Sequence, residues 1–177
     1  VNRVETLARG LALSDKPWNV LIAPGEAGDR LAGLLTTIDA EGNRIRAVRT
    51  SFLPQTEFDR LLWASDAGII RGEDSFVRAQ LAGLPFLWST YPTEDHAHRV
   101  KLDAWLDKFV PGLPEPLAER YRKTSVEWLE GELSPEGFRD FLEFAPALKP
   151  SLVEWQKKLL SRGDLARHML QRARSAL

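Results

Sequence analysis

Short apolar runs alternate with amphipathic stretches as far as Val110, and beyond that point only the amphipathic stretches continue. The segment Asn2 to Ala12 places Leu7 and Leu11 four apart and predicts a short helix leading into the fold. Asn19-Val20-Leu21-Ile22-Ala23 is apolar after its first residue and closed by Pro24-Gly25, which predicts a parallel strand buried on both faces. Gly28 to Thr37 carries Leu31, Leu34 and Leu35 at helical spacing, and Arg44 to Thr50 is a more charged strand, expected nearer an edge. Thr56 opens a helix with Phe58, Leu61 and Leu62 on its apolar face and Ser65 at its end, and its hydroxyl is a natural cap. Ala67 to Ile70 then predicts a strand and Pro85 to Ser89 another. Between them Ser75 to Ala82 predicts a helix bearing Phe76, Val77 and Leu81 and stopped by Gly83. Asp95 to Val110 is a longer helix with Val100, Leu102, Leu106 and Phe109 available for packing.

Alternation of this kind builds a parallel sheet covered by helices on both faces and joined by right-handed crossovers. The expected class is α/β, a Rossmann-like parallel sheet flanked by helices, with a helical carboxyl-terminal extension. That extension is read from Pro116 to Glu130, Ser134 to Phe144, Lys149 to Arg162 and Asp164 to Ala176. Pro111, Pro114, Pro116, Pro135, Pro146 and Pro150 mark its expected joints, since proline lacks the donor that continues a helix. Residues 1–15 read as a lead-in helix or interdomain linker and residues 16–177 as one Rossmann-like domain with its tail.

Composition narrows the chemistry. The 177 residues are 44% hydrophobic and 28% charged, the balance of an ordinary globular chain. A formal net charge of -1 gives no general electrostatic reason to hold nucleic acid, although one local basic pocket can still hold a diphosphate. With no cysteine, disulfides, thiolate zinc and thiol catalysis are excluded, and the chain fits a cytoplasmic setting. No apolar run approaches the roughly 18 residues of a membrane span. The start at Val1-Asn2-Arg3, without Met or a signal-peptide pattern, is expected of a fragment or a processed product. His96 and His98 lack a third nearby histidine and fall on different helix faces, so no metal site is expected; Asp95 reads as a helix cap and His168 as part of a solvated face. Trp105, Trp128 and Trp155 read as packing residues.

The segment with the most chemistry runs from Leu61 to Ser75, helix, strand, tight loop, helix, and ends in Arg71-Gly72-Glu73-Asp74-Ser75. Ligands of open parallel sheets sit at the carboxyl ends of strands, where this loop falls. Gly72 allows a sharp turn, and Asp74 or Ser75 can cap the following helix. That helix start, the Arg71 guanidinium and the Ser75 hydroxyl together suit a diphosphate, including the charge that develops as a nucleoside diphosphate leaves a sugar. Glu73 and Asp74 would repel phosphate and suit sugar hydroxyls or a ribose. The alternative is a surface ion pair of Arg71 with Glu73 or Asp74, which contributes little. No glycine-rich nucleotide fingerprint is present. Upstream, Phe52-Leu53-Pro54-Gln55-Thr56-Glu57-Phe58 offers two rings and an amide to a nucleobase, with core packing of at least one ring as the alternative. Tyr91 follows the next strand on the same rim.

The Arg-Gly-Glu-Asp-Ser-x-x-Arg-Ala run from Arg71, with Gly83-x-Pro85-Phe86-x-Trp88 after it and Phe52-Leu53-Pro54-Gln55 before it, resembles the EarP family of protein-arginine rhamnosyltransferases. The resemblance is clearest over residues 50–110. It implies the carboxyl-terminal domain of a GT-B enzyme that transfers rhamnose from dTDP-β-L-rhamnose to an arginine of elongation factor P, with inversion and without a metal or other cofactor. It implies that Phe52, Gln55 and Phe58 form the thymine site and that Arg71, Glu73, Asp74, Ser75 and Tyr91 contact ribose, diphosphate or rhamnose. The catalytic base is expected in an amino-terminal acceptor domain absent from this chain, with Glu73 and Arg71 in supporting roles, so the chain alone is expected to bind donor weakly and transfer nothing. No nucleic-acid or membrane partner is expected. Two other readings remain: a glycosyltransferase of similar build with another pyrimidine nucleotide sugar, and a non-catalytic nucleotide-sugar-binding module.

Overall fold

The computed structural model describes residues 3–39, 44–90, 97–161, 163 and 165–175. The order is α1 (Arg3–Ala12), β1 (Trp18–Ile22), α2 (Glu26–Ile38), β2 (Ile45–Arg49), α3 (Gln55–Ala64), β3 (Gly68–Arg71) and α4 (Glu73–Ala82). It continues with β4 (Phe86–Ser89), α5 (Ala97–Phe109), a short turn of 3-10 helix at Val110–Gly112, α6 (Glu115–Glu130), α7 (Pro135–Ser161) and α8 (Leu165–Ser175). The expected alternation is therefore present, and only helices follow β4 among the described residues.

The strands are parallel, but they form two two-stranded sheets rather than one continuous sheet. β1 pairs with β2 from Trp18↔Ile45 to Ile22↔Arg49, and β3 pairs with β4 from Gly68↔Phe86 to Arg71↔Ser89. β1 corrects an expectation: only Ile22 is buried, and Leu21 is 41% exposed. Alternate side chains of a strand point to opposite faces, so Asn19 and Leu21 share the face that the helices leave open. β4 has the two-sided cover that β1 lacks, with Phe86, Leu87 and Trp88 all buried.

Helix packing joins the two sheets. α2 lies on β1, β2 and α1; α1 lies on α7; α7 also meets α4 and α6. The buried face of α1 comprises Thr6, Ala8, Gly10 and Leu11, and Thr6 donates its hydroxyl to the Leu133 carbonyl. α7 is one helix of 27 residues that continues through Pro146 and Pro150, which are therefore not joints. An interior proline costs about 3 kcal/mol. One face of α7 buries Phe138, Phe141, Leu142, Phe144, Ala145, Leu148 and Leu152, and at roughly 1.5–3 kcal/mol per large apolar side chain this outweighs the two prolines.

An aromatic cluster sits beneath the β3–β4 sheet. Phe76 stacks on Trp88 at 3.8 Å between centroids, and Trp105 stacks on Phe109 at 4.8 Å. Tyr121, buried, donates its hydroxyl to the Phe86 carbonyl at 2.9 Å. Trp105 and Trp128 are buried as expected, and the half-buried Trp155 donates to the Gln80 amide oxygen at 2.9 Å. In α5 the expected Leu102, Leu106 and Phe109 are buried although Val100 is 67% exposed, whereas α4 turns another face inward than periodicity suggests, with Val77 49% and Leu81 38% exposed and Ala79 buried. No described helix is long and apolar enough to cross a membrane.

Candidate functional site

β3 delivers Arg71 to its carboxyl end, and the chain turns into α4 at Gly72. Gly72 has φ 77° and ψ 174°, a combination that a Cβ disfavours. Its N–H donates to the Ser89 carbonyl at 3.3 Å, and its carbonyl accepts from the buried Trp88 indole N–H at 3.0 Å. Ser89 in turn accepts from the Trp128 indole at 2.9 Å. The turn is thus clamped from β4 and backed by the aromatic cluster, which makes it a rigid support.

Gly72 is also the residue that precedes the first turn of α4, and at that position it has no side chain to offer the helix. Asp74 and Ser75, expected as caps, lie inside the first turn instead, because the helix starts at Glu73. The N–H groups of that first turn and the helix dipole face the loop with partial positive charge. Arg71 is exposed beside them and Ser75 is half-buried. Together they suit an anion.

The two carboxylates of this turn are held by cations. Lys101 of α5 donates to Glu73 at 2.8 Å and keeps its carboxyl below the usual carboxylate range. Arg78, one turn along α4, donates to Asp74 at 2.8 Å and lowers that carboxyl likewise. The same guanidinium meets both oxygens of Asp59 on α3 at 2.9 Å. Asp74 also accepts from the Gln55 side-chain amide at 2.8 Å. The repulsion expected between an anion and this acidic turn is thereby offset.

Gln55 opens α3, whose preceding residue is Pro54; the N–H groups of Glu57 and Phe58 both bond the Pro54 carbonyl at 3.0 Å. Thr56 does not cap this helix, since it lies within the first turn. The two rings of the loop separate: Phe52 is 88% exposed, whereas Phe58 packs partly buried against the core. Of the residues singled out in the sequence, Gln55 and Asp74 touch, and Arg71, Glu73 and Ser75 share their strand end. Tyr91, with Glu94, Asp95 and His96, lies outside the described residues. Three residues of the network were not singled out for a role. Arg78 stands four positions after Asp74, the spacing of a helical ion pair, so a signal existed. Lys101 and Asp59 reach the site only through the fold.

The chain is similar to known proteins in sequence and in fold. The family of the elongation factor P (EF-P) rhamnosyltransferase EarP matches residues 1–174. A protein-arginine rhamnosyltransferase of Pseudomonas aeruginosa is 38% identical over 120 residues, 68% of this chain and 32% of that protein. One of Shewanella oneidensis is 32% identical over 170 residues, 90% of this chain and 43% of that protein. A third, from Neisseria meningitidis, is 55% identical over 64 residues, 36% of this chain and 17% of its own length. The chain thus spans less than half the length of these relatives. A solved structure that gives the structural basis for EarP-mediated arginine glycosylation of translation elongation factor EF-P superposes with a TM-score of 0.79 at 27% identity, covering 99% of this chain and 58% of the other. By sequence and by fold, this chain belongs to the EarP family of EF-P rhamnosyltransferases.

Proposed function

We propose that this chain is the donor-binding part of an inverting glycosyltransferase that moves rhamnose from dTDP-β-L-rhamnose to an arginine of translation elongation factor P in the cytoplasm. The observation that carries the reading is the contact between Gln55 and Asp74, which brings the Phe52 loop and the Arg71–Ser75 loop to one rim. An exposed ring for a base then lies on one side and a cation with a helix start on the other. The names of the relatives supply the acceptor chemistry. The chain takes the place of a GT-B carboxyl-terminal domain in this scheme.

In the reaction a guanidinium nitrogen attacks the anomeric carbon as the bond from that carbon to the diphosphate oxygen breaks. The bonding pair leaves with dTDP, where Arg71, Ser75 and the α4 N–H groups oppose the growing charge, so no metal is needed for that task. Glu73 and Asp74, and Tyr91 with them, are assigned to the ribose or rhamnose hydroxyls. The proton lost from nitrogen goes to a carboxylate base that we assign to a part of the enzyme outside these residues. Accordingly, the chain alone binds donor and leaves elongation factor P unmodified.

Calorimetry with dTDP-rhamnose, UDP-glucose and GDP-mannose tests the proposal. The dTDP donor is expected to bind best and the purine donor least. Arg71→Ala is expected to weaken dTDP binding about tenfold or more, the size of a lost charge-assisted contact to phosphate. Equal affinity for all three donors, or unchanged dTDP affinity in Arg71→Ala, refutes it.

A further inference from the structure

We infer that Arg78 is a positioning residue for donor binding: it ties α3 to α4 through Asp59 and Asp74, and through Asp74 it sets Gln55 against the phosphate loop. The inference rests on the donor reading above. β2 and β3 belong to different sheets, so no ladder of backbone hydrogen bonds sets the loop after β2 in register with the loop after β3. Contacts between α3 and α4 must do so instead.

Arg78 is built for this task. Its Nη1 meets both Asp59 oxygens at 2.9 Å and its Nε meets Asp74 at 2.8 Å. The pair with Asp59 is the sheltered part, with side chains 26% and 27% exposed, and it anchors the guanidinium to α3. The Asp74 side chain is 71% exposed, lies at the rim, and takes its second bond from Gln55. A planar guanidinium holds two carboxylates in fixed directions at once, whereas an ammonium is a point charge that cannot. The consequence is twofold. Gln55 keeps its orientation toward a base edge, and the Asp74 charge is neutralised where a diphosphate must approach.

The test is a double-mutant cycle on dTDP affinity with the full chain, measured by calorimetry, with circular dichroism to check that each variant is folded. Arg78→Lys and Gln55→Ala are each expected to weaken binding about fivefold, the scale of a partly exposed ionic contact. The double variant is expected to be little weaker than either single one, since both act through Asp74. A merely structural Arg78 predicts independent losses that multiply to about 25-fold, and that result overturns the inference. Asp59→Asn, which leaves Arg78 its bond to Asp74, serves if Arg78→Lys does not fold, with an expected loss of about two- to threefold. Arg71→Ala is the control. If it weakens binding while Arg78→Lys and Asp59→Asn bind like the parent chain, the positioning role is wrong and the donor reading stands. If Arg71→Ala changes nothing, both fall.

Discussion

Gly72→Ala probes the support of the site directly. At φ 77° and ψ 174° the backbone occupies a region that is essentially confined to glycine, and an added Cβ there costs on the order of 1–3 kcal/mol. The turn can escape the strain only by rotating, and rotation breaks the buried bond from the Trp88 indole to the Gly72 carbonyl. Leaving that carbonyl unpaired also costs roughly 1–3 kcal/mol. Both routes lead to about 2 kcal/mol of lost stability, and with a urea slope of about 2 kcal/mol per molar the unfolding midpoint falls by about 1 M. Gly83→Ala is the matched comparison. Gly83 ends α4 at φ 64° and ψ 27°, an ordinary left-handed helix end. There the strain is about 1–2 kcal/mol, and the stiffer unfolded chain offsets about 0.4–1 kcal/mol of the loss in both variants alike. Urea unfolding and dTDP calorimetry on both variants give the reading. Gly72→Ala is expected to be the less stable of the two and to lose donor affinity, and Gly83→Ala to keep it. A Gly72→Ala variant as stable as Gly83→Ala, with parental affinity, refutes the clamped-turn argument.

Two further outcomes follow from the electrostatics. Burial pushes the Tyr121 phenol up to about 12 from its ordinary 10, so between those values the unfolded chain gives up the proton while the folded chain keeps it. Stability is therefore unaffected by this group below about pH 10 and falls by about 2 kcal/mol as pH rises to about 12, a slope that Tyr121→Phe removes in urea titrations. The Glu73 carboxyl sits below its ordinary range chiefly because of its bond to Lys101, so Lys101→Met is expected to raise its NMR titration midpoint toward the ordinary value. An unchanged midpoint counts against that contact in solution.

How much of the site was legible depended on distance along the chain. The loop Arg71 to Ser75 stood out because a strand, a glycine and a helix start are consecutive there. The fates of Phe52 and Phe58 were not readable, since both are apolar rings in one loop and only the neighbours brought by the core decide which is covered. Thr56, Asp74 and Ser75 failed as caps because each helix begins one or two residues earlier than its apolar pattern, at positions fixed by Pro54 and Gly72. Periodicity likewise could not show that α7 continues through Pro146 and Pro150, where burial on one face overrides a local preference.

The sequence by itself determined the order and kind of the elements and the stop at Gly83, because these rest on spacings within one or two turns of chain, and it carried the parallel class of the strands and the family likeness in the order of its segments. Tertiary structure alone decided that the strands divide into two pairs, that Lys101 reaches Glu73 across 28 residues, and that Gln55 reaches Asp74 across 19. The physical reason is that side-chain periodicity is a property of local backbone geometry, whereas such pairings depend on which buried faces pack together once the chain has closed on itself.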